Sequence, residues 1–369
     1  MGEAATDFVV AVDLGGSLTK VAYADPHGRM SPPARLPTHL ADGADGLVSW
    51  LAEQLRTAAA GRAQGRCRGY GVVVPGIIDT AGGRVVAATN LGWYDVPLRD
   101  RLTELTGLPG AVAHDVRSGG VAEWRLGAAH GSNDVLFLAL GTGIAGAMVV
   151  DGRMLDAGGY AGELGHVRVS AAGDLPCACG QRGCLETVAS AAGVVRSQAR
   201  LSRAAGSGSD GDGSAGAGAG EAAATTGAVG VEGGAVGVVG EAVGVGFEAV
   251  GGAQRVAELA RGGEESALTA FAVAADALTE VLLSYVTVLG PELVVIGGGL
   301  ARSADLFLPQ VARGLRDRVT FQRLPRIVPA RLGADAGVLG AGLVGWDFVR
   351  AGAETRQRSR TTSYDPQGI

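Results

Sequence analysis

Twice along the chain a short apolar run stops at a glycine turn that also carries hydroxyl groups, and then resumes. Phe8-Val9-Val10-Ala11-Val12 breaks at Asp13-Leu14-Gly15-Gly16-Ser17, and Val21-Ala22-Tyr23-Ala24 follows. Asn133 to Ala139 meets Gly141-Thr142-Gly143, and Ala145 to Val150 returns before Asp151-Gly152. Runs of this length broken by glycine read as strand, tight turn, strand. The repetition predicts two halves built on one plan, each opening on a β-hairpin.

The remaining elements follow the same logic. Asp45 to Ala60 has helical spacing, and Gly69 to Ile78 reads as a buried strand running into Pro75-Gly76. Val96 to Thr106 predicts a helix with Gly107 as its stop. Gly110 to Ala113 predicts a strand delivering His114-Asp115, and Val116 to Gly127 a helix. Residues 157–186 are loop-rich and hold three of the four cysteines. Thr269 to Leu289 reads as a long apolar helix, and Glu292 to Ile296 as a buried strand ending at Gly297-Gly298-Gly299. The polar tail, 350–369, is expected to fray.

Glycine accounts for 63 of the 369 residues, and 17 of these fall between 206 and 252. Residues 204–252 are low in aromatics and have no sustained period, which predicts a flexible Gly/Ala-rich insertion. Apolar residues make up 47% and aromatics 5%, so Val, Leu and Ala must form most of the core. A net charge of −6 argues against nucleic acid as a main partner. No apolar run approaches the ~18–20 residues of a membrane span, and no signal-peptide pattern opens the chain. The expectation is a soluble, cytoplasmic protein with no membrane partner.

A phosphate chain needs backbone N–H groups aimed at it, and glycine lets the backbone approach closely. The segment Asp13-Leu14-Gly15-Gly16-Ser17-Leu18-Thr19-Lys20 adds a carboxylate, two hydroxyls and a cation to such a turn. That cation is the single lysine of the chain, all 30 others being arginine. Gly141-Thr142-Gly143 supplies a second turn and Gly297-Gly298-Gly299 a third. Neither Walker A spacing nor Gly-x-Gly-x-x-Gly ahead of a helix is present. Three such turns, each ending a buried strand, point to a nucleotide cleft between two domains.

Cys177, Cys179 and Cys184 follow His166 at a spacing that suits a Cys₃His structural zinc site. Reduced loop cysteines or a redox pair are the other reading, and Cys67 is an isolated thiol. A small polyol requires convergent carboxylates, amides and imidazoles, and Glu163, His166 and Glu186 all lie next to this cluster. Asp115, at a strand end, is either a general base or the N-cap of the following helix.

On these residues the chain resembles the ROK family (repressors, open reading frames, kinases) of the actin-like ATPase superfold, over about residues 8–200 and 254–345. The most specific part is Gly162-Glu163-Leu164-Gly165-His166 followed by Cys177-x-Cys179-Gly180-x-x-Gly183-Cys184-x-Glu186. Pro75-Gly76 and Asn90-Leu91 with Trp93 also stand where the family has comparable elements. The resemblance implies an α/β fold of two actin-like, ribonuclease H-like domains flanking a cleft, here 1–117 and 118–345, with a zinc loop at 157–186. It implies ATP- and magnesium-dependent phosphorylation of a hexose at its 6-hydroxyl, glucokinase-like, in a homodimer or homotetramer. Asp115 matches the catalytic base, and Gly76, Asn90, His114, Glu163, His166 and Glu186 are the expected sugar contacts. The nucleotide set is Asp13, Gly15, Gly16, Ser17, Thr19, Lys20, Gly141, Thr142, Gly143, Gly298 and Gly299, and zinc would take His166, Cys177, Cys179 and Cys184.

The second reading is a non-catalytic sugar sensor of the same family. Its repressors carry a helix-turn-helix ahead of the first strand, where this chain has seven residues, so DNA binding is not expected. The chain departs from the family at several points. His114-Asp115 replaces the usual Asn-Asp, Val116-Arg117 the usual Ala-Asn, and Ala145 a common glycine beside the second turn.

Overall fold

The computed structural model describes residues 6–40, 42–62, 65–207 and 245–362. In its first half, strand β1 (Phe8–Leu14) turns back as β2 (Leu18–Ala24), and β3 (Ala34–Pro37) extends the hairpin. Helix α1 (Gly43–Gly61) then presents Leu47, Val48, Leu51, Ala52, Leu55 and Ala58 as one buried face. Next come β4 (Cys67–Val74), a small antiparallel sheet of β5 (Ile77–Asp79), β6 (Arg84–Ala88) and β7 (Trp93–Val96), helix α2 (Leu98–Thr106), and β8 (Gly110–His114). Pro97 caps α2, so Val96 belongs to β7 and the helix starts two residues later than its apolar pattern predicts. Gly107 ends it in the left-handed conformation.

The main sheet has the order β3-β2-β1-β4-β8, with β1, β4 and β8 parallel. Helix α3 (Asp115–Leu126) leads into the second half, made of β9 (Val135–Leu140), β10 (Ile144–Val150) and β11 (Arg153–Met154). Helices α4 (Glu186–Ala189), α5 (Ala191–Ser207), α6 (Val245–Arg261) and α7 (Glu265–Leu289) follow, then β12 (Leu293–Gly297), α8 (Leu308–Arg318), β13 (Arg326–Pro329) and α9 (Ala336–Thr362). The second sheet runs β11-β10-β9-β12-β13, with β9, β12 and β13 parallel. It repeats the first sheet strand for strand, so the expected duplicated plan extends well beyond the two hairpins.

Each sheet's last strand sends its helix to the other half. Helix α3 leaves β8 and packs on β9 and β10, while α9 leaves β13 and packs on β1, β4 and β8. The two helices also pack on each other. The boundary expected at 118–345 therefore needs correcting, because helix α9, which begins at Ala336, lies on the first sheet. The contact is backbone-close: a Cβ built on Gly71 would sit 1.9 Å from the carbonyl oxygen of Ala341 and 2.8 Å from the nitrogen of Gly345.

Two flanks also differ from expectation. Helix α9 continues to Thr362, well into the segment expected to fray, while 363–369 lie outside the described residues. Of the expected insertion 204–252, residues 208–244 lie outside the described residues, and its two ends are the last turn of α5 and the first two turns of α6. Helices α5 and α6 pack against each other.

Among the described residues α7 is the one helix long and apolar enough, at 25 residues, to cross a membrane. Phe271, Ala274, Leu278, Val281 and Leu282 along it are buried in the core of the second half, against α4, α5 and α8. Its apolarity belongs to that core.

If α9 docks through the glycine contact, Gly71→Ala lowers stability by about 1–3 kcal/mol through overpacking. Urea unfolding measures this, and a variant with unchanged stability would contradict the docking.

Candidate active site

Parallel pairing brings three expected positions to one edge of the first sheet. Asp13, near the end of β1, Pro75-Gly76 after β4, and His114-Asp115 at the end of β8 all emerge where these strands finish. Ligands of α/β sheets collect at such carboxyl ends. Burial raises the Asp13 carboxyl above its usual range, Lys20 counteracts that, and the Asp115 charge adds to it. The Asp115 charge is therefore felt at Asp13 across the strand ends.

Hairpin register sets Lys20 opposite Asp13. Lys20 Nζ donates to Asp13 Oδ2 at 3.3 Å and to the Ala334 carbonyl, and lies 3.9 Å from Asp335. Gly15, Gly16 and Ser17 form the open turn between the strands, with Ser17 exposed. Asn90 meets this turn, since a Cβ on Gly16 would lie 3.7 Å from its amide nitrogen. Thr19 corrects the expectation of a phosphate contact. It is fully buried, its hydroxyl bonds Thr38 Oγ1 at 2.8 Å, and Thr38 donates onward to the Gly15 carbonyl at 2.7 Å. Having only one proton, Thr38 must accept from Thr19, so Thr19 braces the turn from behind.

The second and third turns meet in the other half. Gly298 has φ +84, and a Cβ there would lie 2.3 Å from the Leu140 carbonyl, so only glycine lets the third turn approach the end of β9. Gly299 starts a 3-10 helix. Gly141 donates to the Gly143 carbonyl at 2.9 Å, closing the second turn, while Thr142 and Gly143 are exposed. Ala145 lies in the ladder opposite Ala139, outside the turn itself. Glu186 is placed differently from a pure sugar contact, because its Oε2 accepts from the Ile144 N–H at 2.9 Å and so holds this turn.

His114, rather than Asp115, is the N-cap of α3. Its Nδ1 accepts from the Arg117 N–H at 3.2 Å. That bond fixes the imidazole as the tautomer with its proton on Nε2. Burial, with Arg117 adding to it, lowers the His114 pKa to about 4, against a smaller opposing pull from Glu163 and Asp156. Asp115 is thereby released from the capping role. Its Oδ1 takes the Val116 N–H at 2.7 Å, its side chain is 31% exposed, and burial raises its pKa. A carboxylate held at a strand end with its pKa raised is suited to accept a proton. Glu163 lies on the other half, exposed and near enough for its charge to act on His114.

His166 and the three cysteines form one cluster, their ligand atoms all within 4.8 Å of each other. The Cys179 and Cys184 sulfurs are 3.8 Å apart, and His166 Nδ1 is 3.7 Å from the Cys177 sulfur. A disulfide needs sulfurs about 2.05 Å apart, whereas sulfurs 2.3 Å from a tetrahedral centre stand about 3.8 Å apart. The donor set and spacing therefore fit a metal ion. Residues 167–169 pair with 183–185 through Val169 N–H to Gly183 and Leu185 N–H to Val167, which ties His166 to the cysteine loop. Nδ1 of His166 is the ring nitrogen that faces the Cys177 sulfur.

A profile of the ROK family matches residues 9–345. The chain belongs to the ROK family. A glucokinase of Halalkalibacterium halodurans is 31% identical over 342 residues, spanning 90% of this chain and 93% of the relative. A ROK family glucokinase from Streptomyces griseus, solved with glucose and AMPPNP, is 25% identical with a TM-score of 0.69, covering 92% of this chain and 99% of its own. A ROK hexokinase from Thermus thermophilus is 28% identical with a TM-score of 0.68, covering 93% and 99%. The ROK kinase fold, α/β with two mixed sheets, accounts for the whole described core.

Because His114 is held neutral, the unfolded chain takes a proton there below about 6.5, which the folded chain refuses until about 4. Stability falls as pH drops through that window, by about 2 kcal/mol between pH 7 and pH 5. In His114→Asn, which keeps a capping side chain, this part of the drop disappears. Urea unfolding at the two pH values checks it, and an identical drop in the variant would refute the assignment.

Proposed function

We propose that this protein transfers the γ-phosphoryl group of ATP to the 6-hydroxyl of a hexose, with Asp115 as general base. The broader statement, that it is an ATP-dependent sugar kinase, follows from its family and its glucokinase relatives. What supports the finer one is the placement of Asp115, after β8 at the same sheet edge as Asp13, yet free of the helix cap that His114 fills. Asp115 takes the hydroxyl proton as that oxygen attacks phosphorus, and positioning with charge stabilisation does the rest.

The sugar lies between the halves, with Asn90, Gly76 and His114 on one side and Glu163 and His166 on the other. His114 offers it one donor, Nε2–H. The phosphates meet the turns at 15–17 and 141–143, with the third turn, at Gly298 and Gly299, on the nucleoside side. Burial and the Asp115 charge both make an added cation favourable at Asp13, so Asp13 would hold magnesium, directly or through water. Magnesium bound there neutralises charge on the transferring group.

The cluster of His166, Cys177, Cys179 and Cys184 holds structural zinc in this reading. Burial and the neighbouring sulfurs push the Cys184 thiol up to about 12, and a cation is what makes such thiols into thiolates. Zinc fixes the loop that carries His166 and leads straight into Glu186.

Asp115→Asn is expected to lower hexose-dependent ADP release by about 10²–10⁴-fold while hexose binding by calorimetry persists. A variant that keeps wild-type turnover would exclude Asp115 as the base. For the metal, the wild type should carry one zinc per chain by elemental analysis and Cys179→Ser should lose it. Full zinc content in the variant would rule the site out.

A further inference from the structure

Arg117 is a charged residue buried to 5% exposure in the first turn of α3. Its guanidinium reaches both halves of the molecule. Nη1 donates to the Gly159 carbonyl at 2.7 Å and to the Ala161 carbonyl at 3.2 Å, and Nη2 donates to the Ile78 carbonyl on β5 at 3.4 Å. Its Nε is 3.5 Å from Asp156, a carboxylate that is 42% exposed. A buried cation is costly unless its donors are used, and the rigid guanidinium fork satisfies them here on backbone carbonyls.

The loop it holds is a short 3-10 turn, Ala157–Gly159, and the residues after it. Ala157, Gly158, Gly159 and Gly162 all have positive φ, a conformation that many alternatives compete with in a free loop. Gly162 is followed directly by Glu163 and then by the short helix Leu164–His166. At its other end, Arg117 stands two residues from Asp115, and its own N–H bonds His114 Nδ1. One residue thus connects the strand end bearing His114 and Asp115, the small sheet of the first half, and the loop of the second half that leads to Glu163.

We infer that Arg117 is a positioning residue that sets the loop carrying Glu163 against Asp115 and so determines how tightly the sugar is held between the halves. This rests on the sugar-kinase reading above. The chain holds this loop through one guanidinium that reaches three carbonyls on two separate elements.

The test is the full-length protein with Arg117→Ala and Arg117→Lys, read by glucose calorimetry and by steady-state kinetics. Arg117→Ala should weaken glucose binding and raise the glucose KM by about tenfold or more, as loss of positioning does. The ATP KM should stay within about twofold. Arg117→Lys, which keeps the charge and some of the donors, should fall between wild type and Ala. If the Ala variant does not fold, the Lys variant alone decides, by its glucose affinity. Unchanged glucose affinity in a folded variant, with only a lower melting temperature, overturns the proposal and leaves Arg117 a structural strut. If the wild type binds glucose without turning over ATP, the kinase reading fails while the affinity comparison still judges Arg117. No hexose bound by the wild type overturns both.

Discussion

The parallel pairing of β1 with β4 and of β4 with β8 governs the arrangement of the site. Parallel strands finish at the same edge, so Asp13, Pro75-Gly76 and His114-Asp115 are delivered together from positions up to a hundred residues apart. The second sheet does the same with Gly141 and Gly298. Backbone hydrogen bonding sets these placements before any side chain makes a contact. Side chains then refine them: Lys20 is aimed by its register opposite Asp13, and Asp115 is freed because His114 caps the helix.

The exchange of helices between the sheets makes the two halves one assembly. Helix α3 begins at Asp115 and lies on the second sheet, while α9 lies on the first, so any movement of one half against the other passes through this pair. Close backbone contact at Gly71 and Gly345 holds α9 down, and Arg117 spans the same junction near the site. Geometry around Asp115 therefore depends on packing far from it.

Much of this was legible in the sequence. The strand–glycine–strand units, His114-Asp115 at a strand end and the His166–cysteine spacing carried strong local signals, because turns and ligand spacing are local properties. Thr19 was misread because a hydroxyl beside a glycine turn carries no local mark of which way it faces: it is buried, although Leu18 before it is exposed and Lys20 after it half-buried. The place of α9 was not legible, since nothing local marks a helix that returns to a sheet more than two hundred residues earlier. Its glycines at 337, 340, 342 and 345 hinted at close packing without naming the partner. The small sheet escaped notice because strands of three to five residues leave too short a pattern. Arg117 stood out only as a departure from the family, and its role emerged once its three carbonyl acceptors were located.

We propose that Asp13 and Asp115, delivered to one edge by the first sheet, serve phosphoryl transfer to a sugar held between the halves. The most direct test is ADP release by the wild-type protein with ATP and magnesium against a panel of hexoses and N-acetylhexosamines, with the product's phosphate located by NMR. The account predicts turnover with a hexose and a 6-phosphate product. Sugar binding without ADP release for any member of the panel, or phosphate at another hydroxyl, would contradict it.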